Sequence, residues 1–396
     1  MLLKLGIKNL KHNLIMNLLL IIQMTVVLLL AVSMVSTIVT RFQYYTPLKK
    51  QLNSNGYFYY IEHGINPVTG ATLRQTEELH DLLEGENEIF ATYSPWLSYN
   101  DESVNFVSYD DQFIEAYTPE IESGKWFDLN QDQSETVQLV VSQNPYGFKV
   151  GDKIKLDSFG NNLNAEIVGI LKEGTKIMGF TVPFEKCDCR NAFKNYNYQI
   201  EEKPLFILNQ KSLLDKNITM QLNGPIFVTY PDDVPNDLLE KNNSIIKTMM
   251  TLNITPLNEM KNNSMDYIFS QLYTLFPILI CVLILTLVGA VSVSALSAKR
   301  QLKNYAVYYI CGLKWKQCAK VNFYSSLICI VFSFLLSITA VTAIQIFNIF
   351  DETVIQPGIW QLAGCIILTV FYLILSIALP ISIIGKNTPH EVLKLN

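Results

Sequence analysis

The chain has 396 residues, 49% of them hydrophobic and 16% charged, with a formal net charge of −5. That length allows one to three domains, and the acidic balance argues against nucleic acid as a partner, because phosphate binding needs clustered cations. The apolar residues gather in four blocks, one near the N-terminus and three near the C-terminus, which is the pattern of a membrane protein.

Residues 1–13 form an amphipathic start carrying Lys4, Lys8 and Lys11, followed by residues 14–40 without a charge. As a helix this first block would span roughly 40 Å, against a hydrocarbon core of about 30 Å. It is too long for the apolar part of a cleaved signal peptide, and Ala31–Ser36 offers only a poor cleavage site, so a retained membrane helix is expected. Residues 267–298, 321–350 and 359–384 would span roughly 48, 45 and 39 Å. The expected fold is therefore a membrane protein with four transmembrane α-helices and a large α+β domain, residues 41–266, between the first and second. Residues 299–320 and 351–358 are the connecting loops, and residues 385–396 a tail.

Orientation follows the cations. Lys299, Arg300, Lys303, Lys314, Lys316 and Lys320 lie in the 299–320 loop, and Lys386 and Lys394 in the tail. The 351–358 loop has none and holds Asp351 and Glu352. With one crossing per block, all basic segments face the cytoplasm, both termini are inside, and the large domain is outside a plasma membrane. That domain has 19 Lys plus Arg against 32 Asp plus Glu, about −13. A solvated acidic surface accounts for this, although cationic peptides would also be attracted.

Within the outer segment, residues 57–63, 104–110, 137–143, 153–158, 164–171 and 225–230 read as strands, and 73–83 and 234–252 as helices. The mixture predicts α+β. Cys187 and Cys189 are too close for an easy bridge and lack the further ligands of a zinc site. Sequons at Asn217, Asn242, Asn253 and Asn262 are of a kind that arises by chance in an Asn-rich chain. The aromatic residues Tyr44, Tyr45, Tyr57, Tyr59 and Trp126 read as core or surface rather than as a ligand box. His80, in an acid-rich stretch, reads as a solvated face rather than a metal ligand.

No phosphate-binding glycine loop, zinc-protease motif or nucleophile elbow occurs. No catalytic or metal residue is nominated. The four apolar blocks hold no Asp, Glu, Lys, Arg or His, whereas ion-driven carriers need ionisable groups along their path. Any work must draw its energy from a partner.

Two segments invite function. Ala290, Ser294 and Ala298 make a small-residue stripe that lets helices approach closely, within the chain or between two copies. In the 299–320 loop, Tyr305, Ala306, Tyr309, Ile310 and Leu313 recur at three and four residues from Leu302 onward, on a short helix closed by Gly312. This helix would lie in the lipid interface or dock a cytoplasmic motor.

The stretch 289–323, with Gly312 at the glycine of an Ala-Leu-Gly-Ala-like turn, resembles the loop after the second helix of FtsX/MacB-type ABC transporter permeases. The C-terminal Pro389, Glu391, Leu393 and Lys394 are similar to that family's closing motif, and the N-terminal start is similar to its amphipathic one. Gly124, Lys125 and Phe127, then Val150, Gly151 and Asp152, then Val168, Gly169 and Ile170 resemble, in order, the MacB-type core domain. One departure is notable: where the family has Glu-Arg and a second Glu before its glycine, this chain has Arg300, Gln301 and Asn304.

The resemblance implies a permease subunit with no catalytic activity of its own. It implies two permease copies, as a homodimer or heterodimer, each with a cytoplasmic ABC ATPase that carries ATP and Mg. It also implies mechanotransmission from that ATPase through the loop to the outer domain. Docking is assigned to Leu302, Tyr305, Tyr309, Gly312, Leu313 and Trp315. The implied partners are this ATPase, the second copy, membrane lipid, and an adaptor or extracellular protein. Export of a peptide, antibiotic or lipid-linked substrate is the leading expectation. The alternatives are activation of an envelope hydrolase without transport, and peptide sensing.

Overall fold

In the computed structural model the described residues are 5–8, 10, 14–63, 76–100, 104–130, 135–142, 144–172, 175–179, 186–193, 205–249, 251–347, 355 and 357–386. They divide into two units, residues 42–267 and residues 1–41 with 268–396.

The first unit is built on one mixed sheet. Its strands are β1 (Asn55–His63), β2 (Glu88–Pro95), β3 (Asn105–Tyr109), β4 (Ile121–Gly124), β5 (Val137–Ser142), β6 (Lys153–Ser158), β7 (Asn161–Leu171), β8 (Leu205–Asn209), β9 (Met220–Tyr230) and β10 (Thr251–Pro256). Their order is β10-β1-β9-β2-β3-β8-β5-β7-β4, with β6 also on β7. The β3–β8 and β5–β7 pairs are parallel, and the other pairs antiparallel. Strands β5 and β8 are buried on both faces and mostly apolar, as such strands tend to be, with Gln138, Ser142 and Asn209 the polar residues buried in them. By contrast β6 alternates exposed and buried residues and carries Lys153 and Lys155 on its outer face. The core joins Tyr59, Tyr93, Leu139, Ile167, Phe206, Leu208 and Val228.

All six sequence-predicted strands are present. The spacing predicts a helix over 234–252, but the helix ends at Met249 and Thr251 opens β10. Once β1 offers a partner edge at Ile61↔Leu252 and Tyr60↔Asn253, strand pairing takes this segment. Of the predicted helix 73–83, residues 73–75 lie outside the described residues and Thr76–Leu82 is helical. Asn242, a sequon residue, is fully buried. Its amide accepts from Glu84 N–H (3.0 Å) and donates to Glu84 O (2.9 Å), a structural role. Tyr59 is buried and donates to Asn243, and the Trp126 indole donates to Ile114 O at 3.1 Å. Burial holds the Tyr59 and Tyr117 phenols well above their ordinary range, so both remain neutral donors.

The second unit contains the long helices α1 (Leu14–Tyr45), α2 (Leu257–Ile310), α3 (Trp315–Ile346) and α4 (Ile359–Lys386), α1 and α2 beginning or ending in the first unit. Among the described residues three helices are long and apolar enough to cross a membrane, within Asn17–Leu52, Leu257–Gly289 and Phe323–Ile346, and the described apolar stretch of the last helix is Ile359–Ile374. Val27 and Ala31 of α1 pack on Leu279 of α2. Leu20, Met24, Leu28 and Val32 pack with Ile330, Val341, Cys365 and Tyr372. Polar ties also join helices here, among them Ser333 Oγ donating to Ile21 O (3.2 Å) and Gln361 Nε2 to Ser36 Oγ (3.3 Å). Such bonds are worth roughly 0.6 kcal/mol each within a membrane.

Candidate functional site

The predicted short docking helix is not a separate element. It is the last part of α2, which runs unbroken to Ile310. No helix-breaking residue stands between Ser294 and Cys311, and nothing in that stretch stops propagation. The turn then closes as a Schellman motif. Gly312 has φ +96°, its N–H donates to Tyr309 O (3.0 Å), and Leu313 N–H donates to Tyr308 O (3.0 Å). Only glycine takes that φ without strain, which is why the helix ends there. Helix α3 starts two residues later, and the Gln317 side chain accepts from Lys314 N–H at 2.9 Å.

The six residues assigned to docking do not share a face. Tyr305 is fully buried with Val321, and Leu5, Leu302, Tyr308 and Leu313 pack around them. Ala306 is also buried. This cluster joins the two arms of the hairpin and fastens the N-terminal segment to them. A Cβ on Gly6 would stand 3.2 Å from Tyr324 Cβ, so this contact too is close. Tyr309 is exposed, and Gly312 lies at the open turn. Trp315 opens α3, but its side chain lies outside the described residues, as do those of Ala290, Ser294 and Ala298 on α2. Close to that stripe, Gly289 faces the Gln23 amide.

Sequence reasoning missed Val307, and it placed Ile310 on the apolar face of the helix without naming it for docking. They are 50% and 67% exposed. The signal was a second stripe, Lys303, Val307 and Ile310, at the same i, i+4, i+7 spacing as the buried Gln301 and Tyr305 and the partly buried Tyr308. The helix has two apolar stripes: one holds the hairpin together and the other is presented outward. Lys299, Arg300, Lys303, Lys314 and Lys320 are exposed along the same hairpin.

The outer unit has a second distinctive constellation. Three sequence-distant motifs meet at one point. Gly124 pairs with Gly169 across β4 and β7, Lys125 N–H donates to Val168 O (2.9 Å), and Gly151 N–H donates to Ile167 O (2.8 Å). Gly124 has φ +81°, and a Cβ there would strike Val168 O and stand 2.9 Å from a Val150 methyl. Asp152 closes its own turn by accepting from Lys149 N–H at 2.8 Å. These residues hold backbone against backbone, and their role is architectural.

A third feature grips the start of α2. Arg190 forms a two-point ion pair with Asp188 (Nη2–Oδ2 2.7 Å, Nε–Oδ1 3.0 Å), and its guanidinium lies 3.9 Å from the Tyr267 ring centre. Cys189 N–H donates to Ser264 Oγ (2.8 Å), and the Asn263 amide donates to Cys187 O (2.9 Å). Burial first, with the Asp188 carboxylate adding to it, pushes the Cys189 thiol up to about 12, and burial takes Cys187 to about 11. Both therefore stay protonated and inert near neutrality. Among the described residues no group of His, Cys, Asp and Glu could hold a metal ion. The C-terminal motif at 389–394 lies outside the described residues.

No family model matches the chain, and no curated protein matches it. Among solved structures, the chain is similar to the periplasmic region of MacB from Actinobacillus actinomycetemcomitans. The identity is 10%, over 54% of this chain and 94% of that one, with a TM-score of 0.32. It is also similar to the extracellular domain of the noncanonic ABC-type transporter YknZ from Gram-positive bacteria, at 11% identity over 52% of this chain and 99% of that one, TM-score 0.30. Likeness at these values is one of outline only.

Proposed function

We propose that this chain is a four-helix permease subunit of an ABC transporter. Its inner hairpin docks a separate cytoplasmic ATPase, and its α2 passes the ATPase's movement to the outer domain. The observation that carries this reading is the hairpin tip: a glycine-capped helix end, braced by Tyr305 and Val321, that presents Val307, Tyr309 and Ile310 outward between exposed cations. A chain without a nucleotide loop, and with apolar blocks free of ionisable residues, has no energy source of its own. Two permease copies, each with its ATPase, would form the working unit. Extrusion of a peptide, antibiotic or lipid-linked substrate is the activity we assign.

The test is recovery of an ABC ATPase subunit when the tagged protein is purified in detergent from its native host. The pair Val307→Asp with Ile310→Asp is expected to cut recovery at least about ten-fold, since charge is placed where apolar surface must be buried. Unchanged melting would show that the hairpin still folds. Full retention of the ATPase by a folded double variant would refute the docking assignment.

A further inference from the structure

One buried acceptor in the outer unit is left without a donor. Gln51 lies in the one-turn helix Lys49–Leu52. The flanking Leu48 and the last residue Leu52 are buried, while Lys49 and Lys50 are exposed. The turn therefore points position 51 inward, where an apolar residue would be ordinary. Gln51 is only 6% exposed, and its Oε1 atom has no hydrogen-bond partner among the described residues. Buried side-chain oxygens are nearly always paired, so this one points to a group that completes it.

Gln51 lines a cavity with Phe90 of β2, Phe227 of β9, Phe113, Tyr117 and Met178. The Tyr117 hydroxyl is already spent on Lys176 O. The enclosed space has room for about one water molecule. Its mouth lies at Pro47, which is half-buried, and Ala116, which is exposed. We propose that this cavity is a binding site for a small neutral ligand that carries one hydrogen-bond donor on an apolar body, an alcohol or phenol in chemical class. The O–H enters and donates to Gln51 Oε1, and the body fills the mouth.

The lining excludes the other candidates. It holds no charged side chain, so an anion would meet an acceptor oxygen and no cation to balance it. A metal cation would find one amide oxygen where about six ligands are needed. A water molecule could donate to Gln51, but it needs two to four polar partners and the remaining wall is aromatic and aliphatic. An alcohol or phenol places its single proton on the oxygen and its carbon on the rings, and the flexible Met178 thioether can adapt to it. Such a ligand would tie the 47–51 segment to β2 and β9 and so stabilise the outer unit. This site is independent of the docking assignment.

The test uses the full chain in lipid nanodiscs with two probes, phenol and anisole, which share a ring and differ in the O–H. Saturation-transfer NMR reads binding, with empty nanodiscs subtracted. Wild type is expected to bind phenol about ten-fold more tightly than anisole, and phenol should raise the melting temperature with concentration. Gln51→Met should abolish the preference for phenol. Without ligand it should melt higher than wild type, because an unpaired buried oxygen has been removed. Ala116→Trp, at the exposed mouth, should abolish binding of both probes and leave melting unchanged. Equal binding of phenol and anisole by wild type would show that the oxygen does not select the ligand. A ligand-free Gln51→Met that melts lower would show that the amide is already paired in the fold. Absence of phenol binding at millimolar concentration, or binding that survives Ala116→Trp, would overturn the site itself.

Discussion

Gly124→Val is expected to destabilise the outer unit by about 4 kcal/mol, because it combines two penalties. A β-branched residue at φ +81° costs roughly 1–3 kcal/mol in backbone strain. Its Cβ would also collide with Val168 O, Gly169 Cα and a Val150 methyl, and overpacking of this kind adds about 1–3 kcal/mol. No rotamer relieves a clash between Cβ and backbone, so β4 must separate from β7. Gly160→Ala is the comparison. It too has positive φ, but nothing lies within 4 Å of a Cβ there, so only the strain remains, about 1 kcal/mol. Thermal unfolding of the full chain in detergent separates the two. Equal losses would show that close backbone contact at Gly124 is unimportant.

Arg190→Ala is the second large loss. Asp188 is 4% exposed and its carboxylate is held by the Arg190 guanidinium; removal of that partner leaves a buried negative charge uncompensated. Breaking a fully buried pair costs about 3–5 kcal/mol, but Arg190 is 30% exposed and solvent would reach the gap, so about 2–3 kcal/mol is expected. Loss of the stack on Tyr267 is part of that. Arg190→Lys keeps the charge but not the two-point geometry, and should fall between. Adding Asp188→Asn to Arg190→Ala should restore part of the stability, because the orphaned charge is gone. A double variant no better than Arg190→Ala would show that the ion pair is not what holds the 187–190 segment to α2.

The sequence made the outer fold legible where physics leaves a local trace. Strand β6 alternates on its two faces, and β7 ends in the Val168-Gly169-Ile170 run, so both could be read directly. The strands that escaped, β2, β4, β8 and β10, lack that trace. Residues of β2 and β8 are buried almost throughout, so their apolar and polar residues do not alternate with the strand period. Strand β4 has four residues and ends in Gly124, and β10 follows directly on a helical pattern. The glycine motifs were legible as motifs, but only the pairing of β4 with β7 shows that they meet at one point.

The elbow was legible in part for a similar reason. Its helical periodicity and its terminating Gly312 are local properties. Which of two apolar stripes faces the returning arm depends on α3, and the spacing of Tyr305 and Tyr309 alone does not decide it. Tyr305 pairs with Val321 sixteen residues later, so it serves the hairpin, while Val307 and Ile310 are left outside. The pair of buried Asp188 and half-buried Arg190 escaped because two residues in an acidic domain carry no mark of burial in a single sequence.

The central claim is that movement enters at the elbow and leaves through α2 into the outer domain. Amide hydrogen exchange at residues 187–193 and in the first turns of α2, in nanodiscs with the ATPase bound, tests it most directly. Comparing the nucleotide-free state with an ATP–vanadate-trapped one should show a change in protection there in wild type. The same change should vanish in Val307→Asp with Ile310→Asp. Nucleotide-dependent exchange that persists in this double variant, or wild-type exchange that stays constant while ATP is hydrolysed, would contradict the account.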